Sequence, residues 1–180
     1  MRQIDGEVAN LGAAAKHDLA MECLYVALLQ LMDTMPYERI TITDLCARAG
    51  VSRMAYYRNF NDKSEILIKH LEWLIETSVS KLERDDGANE REIIASFFSY
   101  LQASKVGKAI MRAGLMDQFM RIHLDYARRV YQNVLHLELG DPQSEMHLYK
   151  LMGGMAGLML YLIDNDCEVD PYELADMLLS

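Results

Sequence analysis

The sequence predicts an all-α protein of about nine helices, with an N-terminal three-helix domain and a larger helical C-terminal domain. Proline occurs only 3 times and glycine 10 times in 180 residues, so few positions interrupt a helix. Apolar residues recur at steps of three and four, which is helical spacing, and no segment shows the alternation of a strand. Hydrophobic residues make up 51% of the chain, enough to bury a sizeable core.

A long first helix is predicted from Ala14, after weakly patterned residues 1–13. Leu24 and Leu28 share one of its sides, because residues four apart lie on the same face. Pro36 cannot continue the helix, so the helix is expected to end shortly before it.

Two short helices follow, and their end signals are closely spaced. Thr41 with Asp44 three residues later has the pattern of a capping box, with aspartate in place of glutamate. Gly50 tolerates the positive φ that ends a helix, and Ser52 is the N-cap of the next one, up to Phe60. A helix, a turn and a second short helix in this order predict a helix-turn-helix motif.

The rest of the chain is predicted to be helical as well. Residues 62–83 form a connecting helix with Asp62 as N-cap, and the polar stretch around Gly87 is a break. We therefore place the domain boundary between residues 1–61 and residues 62–180. Further helices are predicted over 91–104, 105–114, 116–138, about 142–166 (with Asp141 as cap and Pro142 at the first position) and 171–179.

The distribution of charge separates the two domains. The formal net charge is −9. Residues 1–70 carry eight basic and nine acidic side chains, a net charge of −1, whereas residues 71–180 carry ten and eighteen, a net charge of −8. A nearly neutral N-terminal domain can present a local basic surface, while an acidic domain repels phosphate.

The second helix of the motif is expected to bury one face and expose the other. Tyr56 and Phe60 are four residues apart and should point inward, which turns Arg53, Met54 and Tyr57 outward. Arginine can bind guanine edges or phosphate, and tyrosine can donate to phosphate oxygens. The outer face is therefore a candidate surface for the major groove of DNA.

Residues 41–67, TITDLCARAGVSRMAYYRNFNDKSEIL, resemble the DNA-binding segment of the TetR family of transcriptional regulators. The family pattern is roughly T-x-x-D-I-A-x-x-A-G-V-S-x-G-T-L-Y-x-H-F-x-x-K-x-x-L. The matching residues are Thr41, Asp44, Ala49, Gly50, Val51, Ser52, Tyr57, Phe60, Lys63 and Leu67. The sequence departs from the pattern at Met54 (glycine in the family), Ala55 (threonine), Tyr56 (leucine) and Asn59 (histidine).

This resemblance implies a homodimer that binds operator DNA, with the second helix of the motif in the major groove. Arg53 and Met54 match positions that approach bases, and Thr41, Tyr57 and Lys63 match positions that hold phosphates. The DNA contacts expected for this chain are Thr41, Thr43, Ser52, Arg53, Met54, Ala55, Tyr57, Asn59 and Lys63.

The resemblance also implies a dimer interface and a ligand pocket in the C-terminal domain. For the interface, the apolar residues at helical steps are Leu148, Leu151, Met152, Met155, Leu158 and Leu162. The same spacing fits a helix buried inside one subunit. For the pocket, the candidates are Trp73, Phe97, Phe98, Tyr100, Phe119, His123 and Tyr126, each of which could equally belong to the core.

Other chemistry finds little support in the sequence. The five histidines form no HExxH pair, and there is no Gly-rich phosphate loop or G-x-S-x-G segment, so neither an enzyme nor a metal or other cofactor is expected. Three scattered cysteines indicate reduced thiols and a cytoplasmic location. The apolar stretch 151–163 is shorter than the roughly 20 residues of a membrane span, so no membrane is expected.

Two functions remain after this survey. The first is a TetR-type regulator, a repressor released from operator DNA by a small-molecule effector in the C-terminal domain. The alternative is a protein with the same fold that acts through a protein partner, as a co-activator or co-regulator. The changes at Met54 and Ala55 motivate the alternative.

Overall fold

The computed structural model describes residues 13–84 and 88–180, with side chains from Leu19 onward. Within these ranges the protein is all-helical, with no strand, which confirms the predicted fold class and helix number. The described helices are α1 (Ala13–Met32), α2 (Ile42–Ala49), α3 (Arg53–Asn59), α4 (Ser64–Leu82), α5 (Glu90–Ala103), α6 (Val106–Arg112), α7 (Met116–Asn133), α8 (Pro142–Asp164) and α9 (Pro171–Leu179).

Residues 1–12 and 85–87 lie outside the described part of the chain. They include nearly all of the weakly patterned N-terminal stretch and Gly87 of the predicted break. The described residues divide into two compact units, with the division between Leu67 and Ile68. The division falls within α4, the helix that the sequence analysis assigned as the connection after residue 61.

The N-terminal unit is built by α1 packing on α2, with α3 following directly. Leu24 and Leu28 of α1 and Leu45 of α2 are fully buried. The Arg48 side chain donates from Nε to Gln30 Oε1 at 2.6 Å and links the same two helices at the surface. A short 3-10 helix, Tyr37–Arg39, separates α1 from α2.

In the C-terminal unit, contacts join helices that are distant in sequence. Helix α5 packs against α9, and Arg91 forms a two-pronged ion pair with Asp176 at 2.5 and 2.8 Å. Helix α7 is tied to α4 because Arg129 binds Glu76 and Glu83 at 2.8 to 3.1 Å. These side chains surround a core whose largest fully buried members are Phe98 and Phe119.

Several helix ends differ from the sequence expectation. Helix α7 ends at Asn133 rather than near residue 138, and His136 beyond it adopts a left-handed φ of +53° that ends helical pairing. Helix α5 begins with a capping box between Asn89 and Glu92, a signal that the sequence analysis did not use.

The start of α4 also differs in detail. Asp62 Oδ1 accepts the Ser64 N–H at 2.6 Å, so Asp62 caps the helix. The Glu65 carboxylate accepts from the backbone and side-chain amides of Asn61 at 3.3 and 2.7 Å. The hydrogen bonds from Ser64 hold the pKa of the Asp62 carboxyl below its usual range.

Helix α8 is longer than the apolar stretch at its centre. Its 23 residues reach a mean hydropathy of 1.2 in the most apolar window, of which a third is buried. By length and composition it is the one helix of the described residues that could cross a membrane, which the 13-residue stretch alone did not suggest. A core helix meets the same criterion, and α8 contributes six buried side chains to the C-terminal unit.

Candidate functional site

Local side-chain caps build the helix-turn-helix segment. Thr41 Oγ1 accepts the Asp44 N–H at 3.1 Å, and Asp44 Oδ2 accepts the Thr41 N–H at 3.2 Å, which is the predicted capping box. Gly50 ends α2 at φ +66°, a conformation that favours glycine. Ser52 Oγ then accepts the Ala55 N–H at 3.1 Å and caps α3. The two helices are thus joined by the short turn that the sequence predicts.

The inner face of α3 is aromatic. Tyr56 and Phe60 are 0% and 2% exposed, as expected from their spacing, and their ring centroids are 5.7 Å apart. The Tyr56 hydroxyl is buried and has no hydrogen-bond partner among the described residues. Burial of the phenol raises the pKa of Tyr56. An unpaired buried hydroxyl costs on the order of 1–3 kcal/mol, so the tyrosine is a less favourable core residue here than leucine.

The outer face of α3 presents a cation, a thioether and a phenol. Arg53 is exposed, Met54 is 75% exposed and Tyr57 is 53% exposed, as the helical spacing predicted. The Arg53 guanidinium lies 5.9 Å from the centre of the Tyr57 ring, within range of a cation–π contact. Arg58 is also exposed. Arg58 was not among the predicted DNA contacts, although it lies four residues after Met54 and therefore on the same side of the helix.

Other predicted DNA contacts are already hydrogen-bonded within the unit. The Thr41 hydroxyl donates to Asp44 Oδ2 at 2.6 Å. Asn59 Nδ2 donates to the backbone carbonyl of Ala55 at 2.8 Å, which turns the amide back onto its own helix. Thr43 is exposed and forms no hydrogen bond among the described residues. Of these three side chains, the Thr43 hydroxyl is the one available to a ligand.

Lys63 holds backbone carbonyls together. Its Nζ lies 2.6 Å from the carbonyl oxygen of Tyr37, 2.8 Å from that of Ile40 and 3.4 Å from that of Glu38. The ammonium also lies 4.4 Å from the centre of the Tyr37 ring. Burial lowers the pKa of Lys63. An ammonium has three N–H donors, and the three carbonyl oxygens accept all three. Lys63 therefore holds the 3-10 helix next to α2.

The C-terminal unit contains an apolar cavity of about 70 Å³ between α4, α5, α7 and α8. Four of the predicted ligand contacts line it, namely Phe97, Tyr100, His123 and Tyr126. Phe98 and Phe119 are fully buried but are not among its lining residues. Trp73 does not line it either, because its side chain is 61% exposed and packs on the His70 ring at 5.6 Å.

A buried hydrogen-bonded pair stands at this cavity. His123 Nδ1 is 2.8 Å from the carbonyl oxygen of Phe119, and a carbonyl can only accept, so Nδ1 carries the proton. Nε2 is then an acceptor, and the Tyr100 hydroxyl donates to it. Burial lowers the pKa of His123 to about 4, so the ring is neutral near pH 7. The cavity therefore offers an uncharged polar pair in an apolar surrounding.

The residues predicted to form a dimer interface belong mostly to the core of the chain. Leu158 is half-buried, and the other five are buried, with at most 7% exposure. Helix α8 is apolar around most of its circumference, so spacing alone could not select its outward face. Its exposed side is a different stripe, named here the α8 outer stripe, which consists of Met146, Tyr149, Gly153, Gly157, Leu160 and Tyr161.

The described residues contain no cluster of potential metal ligands. No three side chains of histidine, cysteine, aspartate or glutamate come together there in a way that could hold an ion. Cys23 and Cys167 are half-buried free thiols, and Cys46 is buried with its pKa raised by burial.

The chain was also compared with known proteins. No protein-family model matches it, and neither a curated protein nor a solved structure does. The resemblance to the TetR family consequently depends on residues 41–67 and on the geometry of the helix-turn-helix segment.

Proposed function

We propose that this protein is a cytoplasmic, TetR-type transcriptional regulator that binds operator DNA through α3. The observation that carries the proposal is the α2–turn–α3 segment, in which two capped helices bury Tyr56 and expose Arg53 and Tyr57. A helix held in this way can enter a major groove with its outer side chains toward the bases.

The charged side chains of α3 support this assignment. Arg53 and Arg58 are exposed and form no ion pair with a carboxylate among the described residues. Arg53, near the start of the helix, is the residue proposed to contact a base edge. Tyr57 and Arg58 are proposed to bind phosphate, and Met54 to contact the methyl group of a thymine. Lys63 is proposed to position the 3-10 helix rather than to bind phosphate itself.

The proposed regulator is a homodimer, because operator half-sites are commonly bound by two-fold symmetric pairs. The α8 outer stripe is the surface proposed to meet the second copy, together with exposed Tyr172 and Met177 of α9. Gly153 and Gly157 support this choice, since nothing lies within 4 Å of the position a Cβ would take at either residue. Two helices can approach closely over such a surface.

Repression with release by a small molecule is the proposed mode of control. The α4–α5–α7–α8 cavity is the proposed effector site, with the Tyr100–His123 pair as its polar contact. At about 70 Å³ it is smaller than the roughly 300–1,000 Å³ of most ligand sites, so an effector must widen it. Widening the cavity would separate α4 from α7. In the proposed mechanism this wider state does not bind DNA, so a ligand that binds it preferentially lowers the population that does.

The second candidate is a co-regulator that acts through a protein partner. It is favoured by the 75% exposure of Met54 at the start of α3 and by the engagement of Lys63 and Thr41 inside the unit. Both features reduce the number of groups that could hold phosphate. A protein partner would bind with little dependence on salt, whereas phosphate contacts weaken steeply as salt rises.

The deciding experiment selects random duplex DNA with the purified full-length protein and then measures affinity for the winning sequence at several salt concentrations. We expect an enriched palindrome and a steep salt slope. Arg53→Ala should weaken specific binding by roughly 1–3 kcal/mol, because a base contact is lost. Tyr57→Phe should weaken binding to all sequences about equally, because a phosphate contact carries no sequence information.

Arg121→Ala is the matched control, since Arg121 is an exposed arginine of the C-terminal unit that already pairs with Asp117 at 2.9 Å. It should leave DNA affinity unchanged. If no sequence is enriched and capture from cell extract yields a protein instead, the co-regulator is correct. If Arg121→Ala and Arg53→Ala have equal effects, the binding is not directed by α3.

A further inference from the structure

The C-terminal unit holds a second and larger cavity, separate from the one proposed for the effector. Its volume is about 290 Å³, near the lower end of the range typical of small-molecule sites. It lies between α5, α6, the last turns of α8 and the segment after α8, and we name it the α6 cavity. Its lining residues share no member with those of the effector cavity.

The floor of the α6 cavity is apolar. Phe98, Leu101, Met159 and Leu162 line it and are at most 8% exposed. Gly107 stands among them, and a Cβ there would lie 3.3 Å from Leu101 Cδ2 and 3.7 Å from the Met159 sulfur. A side chain at position 107 would therefore take space from this floor. The floor suits an aliphatic or thioether group of a small ligand.

The rim of the α6 cavity carries two ammonium groups and two carboxylates. Lys108 Nζ and Asp166 Oδ1 pair with each other at 3.1 Å. The other two, Lys105 and Glu168, have no hydrogen bond or ion pair among the described residues. One cation and one anion thus remain available. A purely anionic ligand would meet Glu168, and a purely cationic one would meet Lys105, so a ligand with both charges fits the rim best.

The segment that closes the α6 cavity is held by hydrogen bonds to its backbone groups. Gln102 accepts the Val169 N–H at 3.1 Å and donates to the Val169 carbonyl at 3.0 Å. The Cys167 N–H donates to the Leu162 carbonyl at 3.1 Å, and Asp166 adopts a left-handed φ of +47°. This segment holds Glu168 beside the cavity without a need for ligand, so the site is preformed.

We propose that the α6 cavity binds a small zwitterion with an apolar side chain, in the manner of a free aliphatic α-amino acid. The carboxylate of the ligand pairs with Lys105, its ammonium pairs with Glu168, and its side chain lies on the floor at Met159. This site is independent of the proposed DNA binding, and its test contains no DNA.

The test uses the full-length protein with methyl-¹³C methionine and L-leucine as the probe. Met159 lines the α6 cavity, whereas Met152 and Met155 line the effector cavity, so the methyl signals report which cavity is filled. Each signal is assigned by a Met→Leu substitution. We expect saturable shifts of Met159 and none of Met152 or Met155. The proposal would be overturned if the Met159 signal does not shift at 10 mM leucine, a concentration roughly above the dissociation constants of weak specific complexes.

Two analogues and three variants test the charges. 4-Methylpentanoate lacks the ammonium and 3-methylbutylamine lacks the carboxylate, and each should bind on the order of tenfold more weakly than leucine. Glu168→Gln and Lys105→Gln should weaken leucine to a similar extent, while Lys150→Gln, an exposed lysine outside the cavity, should not. If either analogue binds as tightly as leucine, the ligand does not need both charges and the proposal of a zwitterion is wrong. If only the Met152 and Met155 signals shift, leucine binds in the effector cavity and not in the α6 cavity.

Discussion

In the helix-turn-helix segment of the N-terminal unit, side chains close in sequence cap the helix starts, whereas ion pairs of the C-terminal unit connect helices that are distant in the chain. In the first, Thr41 and Ser52 each cap a helix through a residue three positions on. In the second, Arg91 reaches Asp176, and Arg129 reaches Glu76. The helix-turn-helix segment therefore depends on local backbone geometry, whereas these ion pairs of the C-terminal unit depend on the packing of distant helices.

Several arginines of the two units differ in their partners. In the C-terminal unit, Arg91, Arg121 and Arg129 are paired with carboxylates, although the exposed Arg84 is not paired with one among the described residues. In the described part of the N-terminal unit, Arg53 and Arg58 have no such partner. A cation already neutralised by a carboxylate gains little from a phosphate, so the difference separates structural cations from those available to a ligand.

The largest effect should come from the buried histidine of the C-terminal unit. The pKa of His123 is about 4 in the folded protein, below the 6.5 of the free side chain. Between these values the unfolded chain binds one more proton, so stability is lost as the pH falls through this window. From pH 6.5 to 5 the contribution to the free energy of unfolding should decrease by roughly 1.5 kcal/mol.

Urea unfolding at a series of pH values measures this slope. Replacing His123 by glutamine removes this titration. The free energy of unfolding of His123→Gln should therefore decrease less than that of the unmodified protein between pH 6.5 and 5. Gln132→Ala, at an exposed position with no titratable group, should keep the slope of the unmodified protein. An identical slope in His123→Gln would mean that this ring does not remain neutral in the folded protein.

The two capping boxes compare the units directly. Thr41→Ala and Asn89→Ala should each cost about 1 kcal/mol, because both remove a side chain that accepts an N–H at the helix start. Helix α2 has only 8 residues, so its amides should exchange with solvent faster along its whole length. Helix α5 has 14 residues and buries Ile94 and Phe98, so the change should stay within its first turn.

Hydrogen exchange followed by mass spectrometry distinguishes these outcomes. Ser180→Ala provides a control at the C-terminal end of the chain, since it removes a hydroxyl that donates to the Met177 carbonyl after the last helix. If exchange increases to the same extent along α2 and α5, the two helices depend equally on their caps. The proposed difference between the two helices would then be wrong.

Local signals explain which parts of the structure the sequence could predict. The caps at Thr41 and Ser52, the left-handed Gly50 and the inward Tyr56 all follow from neighbours within four residues. Lys63 could not be predicted in the same way, because its carbonyl partners lie 23 to 26 residues earlier and meet it only after folding.

The C-terminal unit was less predictable for a related reason. Trp73 and the apolar residues of α8 satisfy the same helical spacing whether they face the core or the surface. The neighbouring helices decide between these alternatives. The α6 cavity shows this most clearly, because Ser104, Lys105 and Glu168 have no motif that links them in sequence.

The smallest predicted effect concerns two adjacent glycines of α8. A Cβ at position 153 meets nothing within 4 Å, whereas a Cβ at position 154 would lie 2.5 Å from Leu178 Cδ2 of α9. Gly153→Ala should therefore raise the stability of a single chain by roughly 0.5–1 kcal/mol through helix propensity. Gly154→Ala should gain less, or lose stability, because the Leu178 side chain must move.

The same pair tests the α8 outer stripe as the dimer surface. If two copies meet over Gly153, the added methyl group separates their helices, so Gly153→Ala should weaken dimerisation while the isolated chain becomes more stable. Sedimentation across a concentration series, with urea unfolding of the same samples, measures both quantities. Gly154→Ala is the matched control, because its methyl group points to Leu178 within the chain. A more stable Gly153→Ala chain with unchanged dimerisation would exclude contact at Gly153 and require another surface for the dimer.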